Sequence, residues 1–433
     1  MRRVHSGTRG GDSVSFNSQN AVTSQATKAL SEAAGLLRRP QRIFSLTRKL
    51  ASDRLRLALQ QRHLYSYANT KRDTQETLHL VLRWILDAQR ADGGIAAYYS
   101  LLAGYSESYP EVTGYTVPTL YDFARVSGDD ALIVAAERAT AWLLSLQMSS
   151  GAFPGGLHGG GSIPSVFNSG QVLQGLVRVY VETKRSDILQ SAIAAGDWLV
   201  NQQQADGSWS GPGAYQNAAH TYYSMVAWAL AGLSQCSRDN RFGAAAERNL
   251  DWTLARFRPS GWVDGINLQG HPNYLHFFAY ILQGSLECAI LQRRSDGVEA
   301  VANSAWVMLR KFETNKFLCG AYDQDFRHGR PFACLTGNTQ MSCVWLRLFE
   351  VTSDLRYLNA ALKMNEMLKE SVAERGPRGV IGGVCGSYPI WGRYQPLRYI
   401  SWGCKFFADA LMLEQRLMRF LEAQDSEALP CAS

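Results

Sequence analysis

The hydrophobic residues of this chain recur with helical spacing in similar segments that follow one another along the sequence. Five tryptophans, Trp84, Trp142, Trp198, Trp252 and Trp306, are separated by 58, 56, 54 and 54 residues. The segments that they open align as WILDAQRADGG, WLLSLQMSSGA, WLVNQQQADGS, WTLARFRPSGW and WVMLRKFETNK. Self-similarity at a fixed period is typical of a repeat architecture. Each segment therefore predicts one copy of the same helical unit.

The ends of these helices are also predicted by the pattern. Nine residues after each tryptophan stands a residue that tolerates a left-handed backbone, namely Gly93, Gly151, Gly207, Gly261 and, in the fifth copy, Asn315. Glycine and asparagine in this place predict a helix C-cap. Short turns that contain aspartate (SGDD, RSD, RDN, RSD and TSD) precede the second to fifth tryptophan helices and one further helix. We interpret their aspartates as N-caps rather than catalytic groups.

The repeats predict a closed ring. From Trp142 onward each tryptophan helix follows a partner helix, and the partners begin at stretches such as TGYTVPTLYDFA and NSGQVLQGLVRVY. The Trp84 helix lacks such a partner, and the C-terminal helix from about Tyr399 to Arg419 lacks a follower. Pairing these two gives a sixth hairpin, whereas an open solenoid would need polar caps at its ends. The sequence therefore predicts an all-α fold, an (α/α)6 toroid, with a degenerate sixth tryptophan motif around Met364 or Met367.

Charge divides the chain into unequal parts. Residues 1–70 hold 12 lysines and arginines against 3 acidic residues, while the whole chain has a net charge of +7. Within this arm, Ile43 to Tyr65 predicts a basic amphipathic helix, suited to an anionic membrane surface, an acidic partner or the outside of the barrel. The predicted organisation is a basic extension over 1–70, partly disordered, a toroid over 71–425 and a tail over 426–433.

Several classes of protein are disfavoured by the composition. No run of about 18 apolar residues predicts a membrane span, and the N-terminus has no apolar signal region. The eight cysteines contain no CxxC pair and suggest reduced thiols, so we predict a cytoplasmic protein, with peripheral membrane contact through the basic arm as the alternative. No phosphate loop, zinc-ligand spacing or nucleic-acid motif is present, so no cofactor, metal or nucleic acid is predicted.

The links between hairpins carry the polar and aromatic residues. They include SESYPEVTGY, GPGAYQNAAHTYY, NLQGHPNYLHFFAY and GGVCGSYPIWGRYQPLRYISW, and five of the eight histidines fall in links. In a toroid these links meet at one face, where the first helix of each hairpin begins and its free N–H groups favour anions. Aromatic rings also pack well on sugars. We therefore predict a carbohydrate-sized cleft at this face.

The segments YPEVTGYTVPTL, PSVFNSGQVLQGL, HTYYSMVAWAL, CLTGNTQ and GGVCGSYPI resemble the VpsJ-like polysaccharide-biosynthesis family of bacterial exopolysaccharide clusters. The resemblance covers roughly residues 70–415. It implies a role in exopolysaccharide production with an acidic oligo- or polysaccharide as partner. More loosely, the architecture is similar to six-hairpin glycosidases, toroidal polysaccharide lyases and uronate C5-epimerases, a fold analogy that says little about mechanism.

Proton abstraction at C5 of a uronate is the leading interpretation, by a lyase or an epimerase. Such chemistry needs a base such as histidine or tyrosine, and neutral or cationic groups on the carboxylate. His220 with Tyr222 or Tyr223 is the predicted catalytic set, with Asn168 and Gln171 on the carboxylate. Further predicted substrate-binding residues are Tyr109, Tyr115, His276, Tyr280, Asp323, Arg327, Asn338, Gln340 and Trp402.

Two alternatives remain open, and a third is disfavoured because its motifs are missing. A glycoside hydrolase would use two carboxylates, Glu111 with Asp264 or Asp323. A non-catalytic toroid would bind glycan and attach to the synthesis machinery through the basic arm. Terpene cyclases and prenyltransferases also use α/α toroids, and the QxxxG helix ends invite that comparison, but there is no DDxxD, and the nearest approach to DxDD, Asp323 to Phe326, lacks the last aspartate.

Overall fold

The computed structural model describes residues 46–53, 72–157, 163–266, 268, 271–329 and 332–428. Its long helices form two concentric rings, which confirms the predicted (α/α)6 toroid. The outer helices are α1 (Thr74–Ala88), α3 (Asp130–Leu146), α5 (Ser186–Gln202), α7 (Asn240–Leu254), α9 (Ser295–Asn315) and α11 (Leu355–Lys369). The inner helices are α2 (Pro110–Ser127), α4 (Val166–Thr183), α6 (Ser224–Ser237), α8 (Leu275–Gln292), α10 (Leu335–Thr352) and α12 (Ser401–Ala428).

The ring closes as predicted. Each inner helix packs against its two inner neighbours, and α12 returns to α2. The last inner helix, α12, also packs on the first outer helix, α1, so the two chain ends form the sixth hairpin. The inner helices are buried on nearly all sides because they face both the lumen and the outer ring.

The predicted glycine C-caps are wrong in position. Helix α1 ends at Ala88, and Gly93 follows in a tight turn with φ +101°. A Cβ atom at Gly93 would lie 2.7 Å from the Arg138 carbonyl oxygen of the next outer helix. In the fifth repeat the left-handed residue is Lys316, with φ 63°, and Asn315 is the last residue of α9. These glycines therefore let the backbone of one repeat approach the next outer helix closely.

A glutamine at the end of the outer helix joins consecutive repeats, in an arrangement that we call the clasp. Gln89 Nε2 donates to the Gly93 carbonyl (2.9 Å) and to the Ala135 carbonyl of α3 (2.8 Å). Gln147 and Gln203 make the same pair of hydrogen bonds in the next two repeats. The QxxxG pattern thus encodes the contact between neighbouring outer helices.

The predicted aspartate caps are confirmed at three of the five turns. Asp129, Asp239 and Asp354 each accept a hydrogen bond from the backbone N–H two residues later. In the other two turns an arginine holds the N-cap position, and the aspartate lies in the first turn of the helix. Those aspartates pair with the capping arginine, as Asp187 does with Arg185 at 2.7 Å.

Short strands tie the links together at the face where the inner helices begin, which we call the mouth. Strand β1 (Tyr98–Ser100) pairs antiparallel with β2 (Gly104–Tyr105) and with β5 (Arg398–Ile400). The pairing of β1 with β5 joins the first link to the last. Strands β3 (Ala333–Cys334) and β4 (Ser387–Tyr388) form a second antiparallel pair.

Residues 46–53 form a helical segment, which we call the arm helix. Leu46 and Leu50 pack on the core, and the buried Asp53 accepts a hydrogen bond from the Ile390 N–H at 2.9 Å. This part of the predicted amphipathic helix therefore packs on the last link, at the mouth. The rest of the predicted basic arm lies outside the described residues.

The described cysteines are all free thiols, and all except Cys236 are buried. Across the described parts of the chain, none of the helices combines the length and the apolarity that crossing a membrane requires.

Candidate active site

Aromatic side chains from opposite sides of the ring meet at the mouth ends of the inner helices. Residues four apart on a helix share a face, so Glu111 lies above Tyr115, and His276 above Tyr280. We call the resulting group the central cluster. Its members are Tyr109, Glu111, Tyr115, Phe167, Tyr222, His276, Tyr280, Gln340, Tyr394, Trp402 and Phe406.

Tyr280 is the centre of this group. Its ring packs edge-on against Phe167 of α4 (5.4 Å between centroids) and Phe406 of α12 (5.8 Å). Its hydroxyl lies 3.5 Å from Glu111 Oε1 of α2, a helix on the opposite side of the ring. The side chains of the cluster therefore fill the lumen at this depth.

Glu111 is the titratable group with the strongest case for chemistry. It follows Tyr109 and Pro110, and the proline at the first helical position fixes where α2 begins. Burial raises the pKa of Glu111 to about 7, although hydroxyl groups of Tyr109 and Tyr280 favour the carboxylate. A carboxyl group with this pKa exchanges a proton near neutral pH and can act as a general acid.

His276 is a second titratable group of the cluster, held in one orientation. Its Nδ1 lies 2.6 Å from Gln340 Oε1, and Gln340 Nε2 in turn donates to Gln283 Oε1 at 3.3 Å. Burial lowers the pKa of His276 to about 3, so the ring is neutral at physiological pH. Because an amide oxygen only accepts, Nδ1 carries the proton and Nε2 is left as an acceptor. The His276 ring lies 4.2 Å from that of Tyr280, centroid to centroid.

The predicted catalytic set around His220 lies beside the cluster. His220 is buried, stacks on Tyr222 at 5.1 Å, and uses Nε2 to donate to the Tyr215 carbonyl at 2.9 Å. Its Nδ1 is buried with no hydrogen-bond partner among the described residues. Tyr223 is also engaged, because its hydroxyl accepts from the Tyr215 N–H at 2.7 Å. The structure thus brings His220, Tyr222 and Tyr223 together. His220 and Tyr223 both form hydrogen bonds with the backbone of Tyr215, so these two side chains stabilise the link that carries them.

Three amides predicted to bind substrate, two of them (Asn168 and Gln171) on its carboxylate, are used differently from one another. Asn338 is buried, and its side chain makes three hydrogen bonds to the backbone of Leu318 and Cys334, so it holds a link. Asn168 likewise donates to the Pro154 carbonyl at 2.9 Å. Gln171 is fully buried one turn below Phe167, and neither polar atom of its side chain has a partner among the described residues.

The structure does not bring the other predicted acids and cations to the central cluster. Asp264 is exposed and pairs with Arg258 at 2.8 Å. Asp323 is exposed and accepts from the backbone N–H groups of Asp325 and Arg327, which shapes its own turn. Arg327 points to solvent, with 77% of its side chain exposed. Each of these links turns its charged residues outward, where water solvates them.

Sequence reasoning missed Phe167, Tyr394 and Phe406. Phe406 lies four residues after Trp402, and this spacing could have placed both on one face. Tyr394 lies in the irregular last link and reaches the site because its hydroxyl accepts from Trp402 Nε1 at 2.9 Å. Lys405 lies over the Phe406 ring of the cluster and pairs with Asp409 at 2.6 Å. Within the described residues, no three His, Cys, Asp or Glu side chains converge as metal ligands.

A family model for the squalene-hopene cyclase C-terminal domain matches residues 57–283, just over half of the chain. The chain belongs to this family. The matched part includes α1 to α7, the first half of α8 and the three glutamine clasps. It also includes the N-terminal turn of α2, which carries Glu111, and that of α8, which carries His276. No curated protein sequence matches the chain significantly.

Several solved structures share the fold. An unsaturated glucuronyl hydrolase from Bacillus sp. GL1 superposes with a TM-score of 0.64 at 16% identity, over 80% of this chain and 97% of that one. A cellobiose 2-epimerase from Bacillus thermoamylovorans B4167 gives 0.64 at 12% identity, over 80% and 98%. A D-mannose isomerase gives 0.62 at 9% identity, over 81% and 100%. At such identities the likeness establishes the shared toroid fold.

Proposed function

We propose that this protein is a carbohydrate-processing enzyme that transfers protons on a sugar at the central cluster. Glu111 is the proton donor, and His276 Nε2 is the acceptor. The observation that carries the proposal is the pKa of about 7 for Glu111, in contact with Tyr280, whose ring packs on the neutral His276. A protonated acid can donate a proton to the substrate, and a neutral base on the other side of the same tyrosine can accept a proton from it.

The surroundings of this pair suit a polyhydroxylated ligand. Rings of the cluster offer flat surfaces for a sugar, while buried polar atoms without partners would gain hydrogen bonds from hydroxyl groups. Those atoms include the Gln171 amide and Thr336 Oγ1. The toroid enzymes named above act on saccharides, which supports this substrate class by analogy.

Isoprenoid cyclisation, which the family description raises, receives less support. A hydrocarbon ligand would leave the Gln171 amide unpaired at a cost of about 1–3 kcal/mol, and the same holds for each further polar group that it covers. The DxDD-like residues Asp323 and Asp325 are exposed in their link and do not face the cluster. We therefore assign the site to sugars.

The reaction is best placed next to a carbonyl group, as in epimerisation or isomerisation. Glu111 is the only carboxylate of the cluster among the described residues, so the predicted two-carboxylate hydrolysis lacks its second acid. C5 abstraction from a uronate would need a positive or donating group on the substrate carboxylate. Of the two amides predicted for that role, Asn168 donates to a backbone carbonyl instead, which leaves only the Gln171 amide. In the proposed step His276 takes the proton from the carbon, and Glu111 protonates the carbonyl oxygen to give an enediol.

The biological setting is the part of the proposal that rests on sequence resemblance. The VpsJ-like segments of the toroid suggest a role in bacterial exopolysaccharide production or modification, in the cytoplasm. The substrate would then be a saccharide unit of that polymer or of its precursor. An acidic residue elsewhere in the saccharide is compatible with this site, because the reacting carbon would be next to a carbonyl.

Incubation with reducing mono- and disaccharides in deuterated water tests the proposal. Epimerisation or isomerisation incorporates deuterium at the carbon next to the carbonyl, and proton NMR detects this together with the new sugar. We expect Glu111→Gln and His276→Asn to lower the exchange rate at least about 100-fold. Glu107→Gln, an exposed carboxylate in the same link, is the matched control. Full exchange by both cluster variants would overturn the assignment.

Glycoside hydrolysis is the second candidate, since a carboxyl group with a pKa of about 7 also suits the protonation of a leaving group. New reducing ends without deuterium exchange would favour it. Absorbance near 230 nm after incubation with acidic polysaccharides would instead indicate a lyase, and glycan retention without turnover would indicate a binding protein.

A further inference from the structure

A cavity lies at the rim of the mouth, between the arm helix and the start of the last link. Its volume is about 250 Å³, enough for one charged group or one sugar ring. Tyr399, whose ring is buried, contributes to its wall. We call it the rim cavity. Its polar lining comes from Arg48, Lys49 and Ser52 of the arm helix, from Arg72, and from Glu370, Glu374 and Arg375 of the link.

The arm helix is fixed in place by a buried carboxylate. Asp53 accepts the Ile390 N–H at 2.9 Å and pairs with Lys49 at 2.9 Å, with none of its side chain exposed. Because this anchor lies in the last link, it brings Arg48 against the same cavity as Arg375.

The charges of the rim cavity are unbalanced. Its acids do not neutralise all of its bases, because Glu374 pairs with Arg72 at 3.3 Å and Lys49 is held by Asp53. Arg48 and Arg375 form no ion pair with another described residue. Two unpaired guanidinium groups therefore face one cavity in which Glu370 is the single acid without an ion pair among the described residues, so the lining keeps a net positive charge.

Backbone donors add to this arrangement. The N–H groups of residues 374–376 donate to no other residue that the structure describes, and Gly376 has a φ of +145°, which few other residues adopt. Free consecutive amides next to guanidinium groups are a recurrent way of holding oxyanions. The cavity, the two unpaired arginines and the free amides all point to the same class of ligand.

We propose that the rim cavity is a binding site for an oxyanion, a carboxylate or a phosphate carried by a saccharide. Arg48 and Arg375 make the charged contacts, and the amides of 374–376 complete the shell. The site depends on the arm helix, so it exists only while the N-terminal segment is docked. Its binding is independent of turnover at the central cluster and can therefore be measured without knowing the reaction.

Calorimetric titration of the full chain at low salt tests this site with three probes. Glucuronate represents a sugar carboxylate, inorganic phosphate represents a phosphate group, and glucose is the neutral comparison. We expect one or both anions to bind at the rim cavity, glucose to show no binding there, and affinity to fall as salt screens the charges. Stronger binding of glucuronate would identify an acidic sugar as the source, and stronger binding of phosphate a phosphorylated one.

Variants separate the rim cavity from the remaining surface. Arg48→Gln with Arg375→Gln should weaken anion binding at least tenfold, whereas Arg310→Gln, an exposed arginine on α9, should leave it unchanged. Asp53→Ala should weaken binding with both arginines present, because it releases the arm helix, and Asp53→Asn should restore part of it. Unchanged affinity in the double variant, or equal binding of glucose, would overturn the proposal.

Discussion

At the scale of single residues, the central question is how Glu111 keeps a proton at neutral pH. The first turn of a helix normally favours a charged carboxylate, through the helix dipole and free N–H groups. Here burial dominates and raises the pKa to about 7 from an ordinary value of 4.5. The folded protein therefore binds this proton more tightly than the unfolded chain does, and this difference makes folding stability depend on pH.

This shift predicts the effect of Glu111→Gln on stability. A raised pKa stabilises the fold fully below about pH 4.5, and the contribution is lost as the pH rises through about 7. The variant should therefore be more stable than the parent above pH 7, by on the order of 3 kcal/mol, and the difference should vanish in acid. Urea unfolding at pH 5 and pH 8 measures it. A parent that gains stability relative to the variant as the pH rises would contradict the assigned pKa.

A second prediction concerns the hydrogen bond between His276 and Gln340. Gln340→Glu places an acceptor with negative charge 2.6 Å from Nδ1, which should raise the pKa of His276 from about 3 into the range of ordinary histidines. NMR of the ring protons should show no titration of His276 between pH 5 and pH 8 in the parent, and a titration in the variant. Gln174→Glu is the control, since the Gln174 amide donates to the Met225 carbonyl instead. If His276 did not titrate between pH 5 and pH 8 in Gln340→Glu, the charge at position 340 would have no effect on the pKa of His276.

The sequence alone predicts the position of some of these side chains and not of others. His276, Tyr280, Gln340 and Glu111 lie on helices whose register the repeat defines, so their common face could be predicted. Asp264 and Asp323 lie in irregular links, whose direction is set by contacts such as the ion pair with Arg258. Periodicity carries no information about such links, and the prediction that either acid faces Glu111 failed for that reason.

At the scale of elements, the glutamine clasps explain why the repeats keep one orientation. Each clasp joins the end of an outer helix to the backbone of the next outer helix. The glutamine amide donates to a carbonyl group there that would otherwise bind water. The sequence indicated the repeat through tryptophan and glycine. It did not indicate that the glycine serves the neighbouring helix, because a C-cap and a close approach both favour a positive φ.

The clasp gives a third prediction. Gln203→Ala removes the hydrogen bonds to the Gly207 and Ala245 carbonyls and should lower the free energy of unfolding by about 1–3 kcal/mol. Gln204→Ala, at the next and exposed position, should change it by less than about 0.5 kcal/mol. Thermal and urea unfolding of both variants compare the two sites. Equal effects would show that the clasp adds nothing beyond ordinary helix-end contacts.

At the scale of the whole molecule, the ring closes through a polar seam between its last and first elements. The buried Lys369 at the end of α11 donates to the Arg72 carbonyl and to Thr74 Oγ1, both at 3.0 Å. Glu414 of α12 accepts from Thr74 Oγ1 of α1 at 3.3 Å. The closure of the ring was predictable from the unpaired terminal helices. The seam was not, because its partners lie about 300 residues apart in the sequence.

A closed ring should unfold as one unit, and Lys369 tests this. Lys369→Met keeps the length of the side chain but leaves the Arg72 carbonyl and Thr74 without their donor, at a cost of about 2–4 kcal/mol. Because α1 and α12 hold each other, the loss should lower the midpoints of circular dichroism and tryptophan fluorescence together. Lys363→Met, exposed on the same helix, should leave both unchanged. If hydrogen exchange instead showed α1 opening alone, with the global midpoint unmoved, the first helix would be an attached element and the cooperative ring would consist of the other eleven.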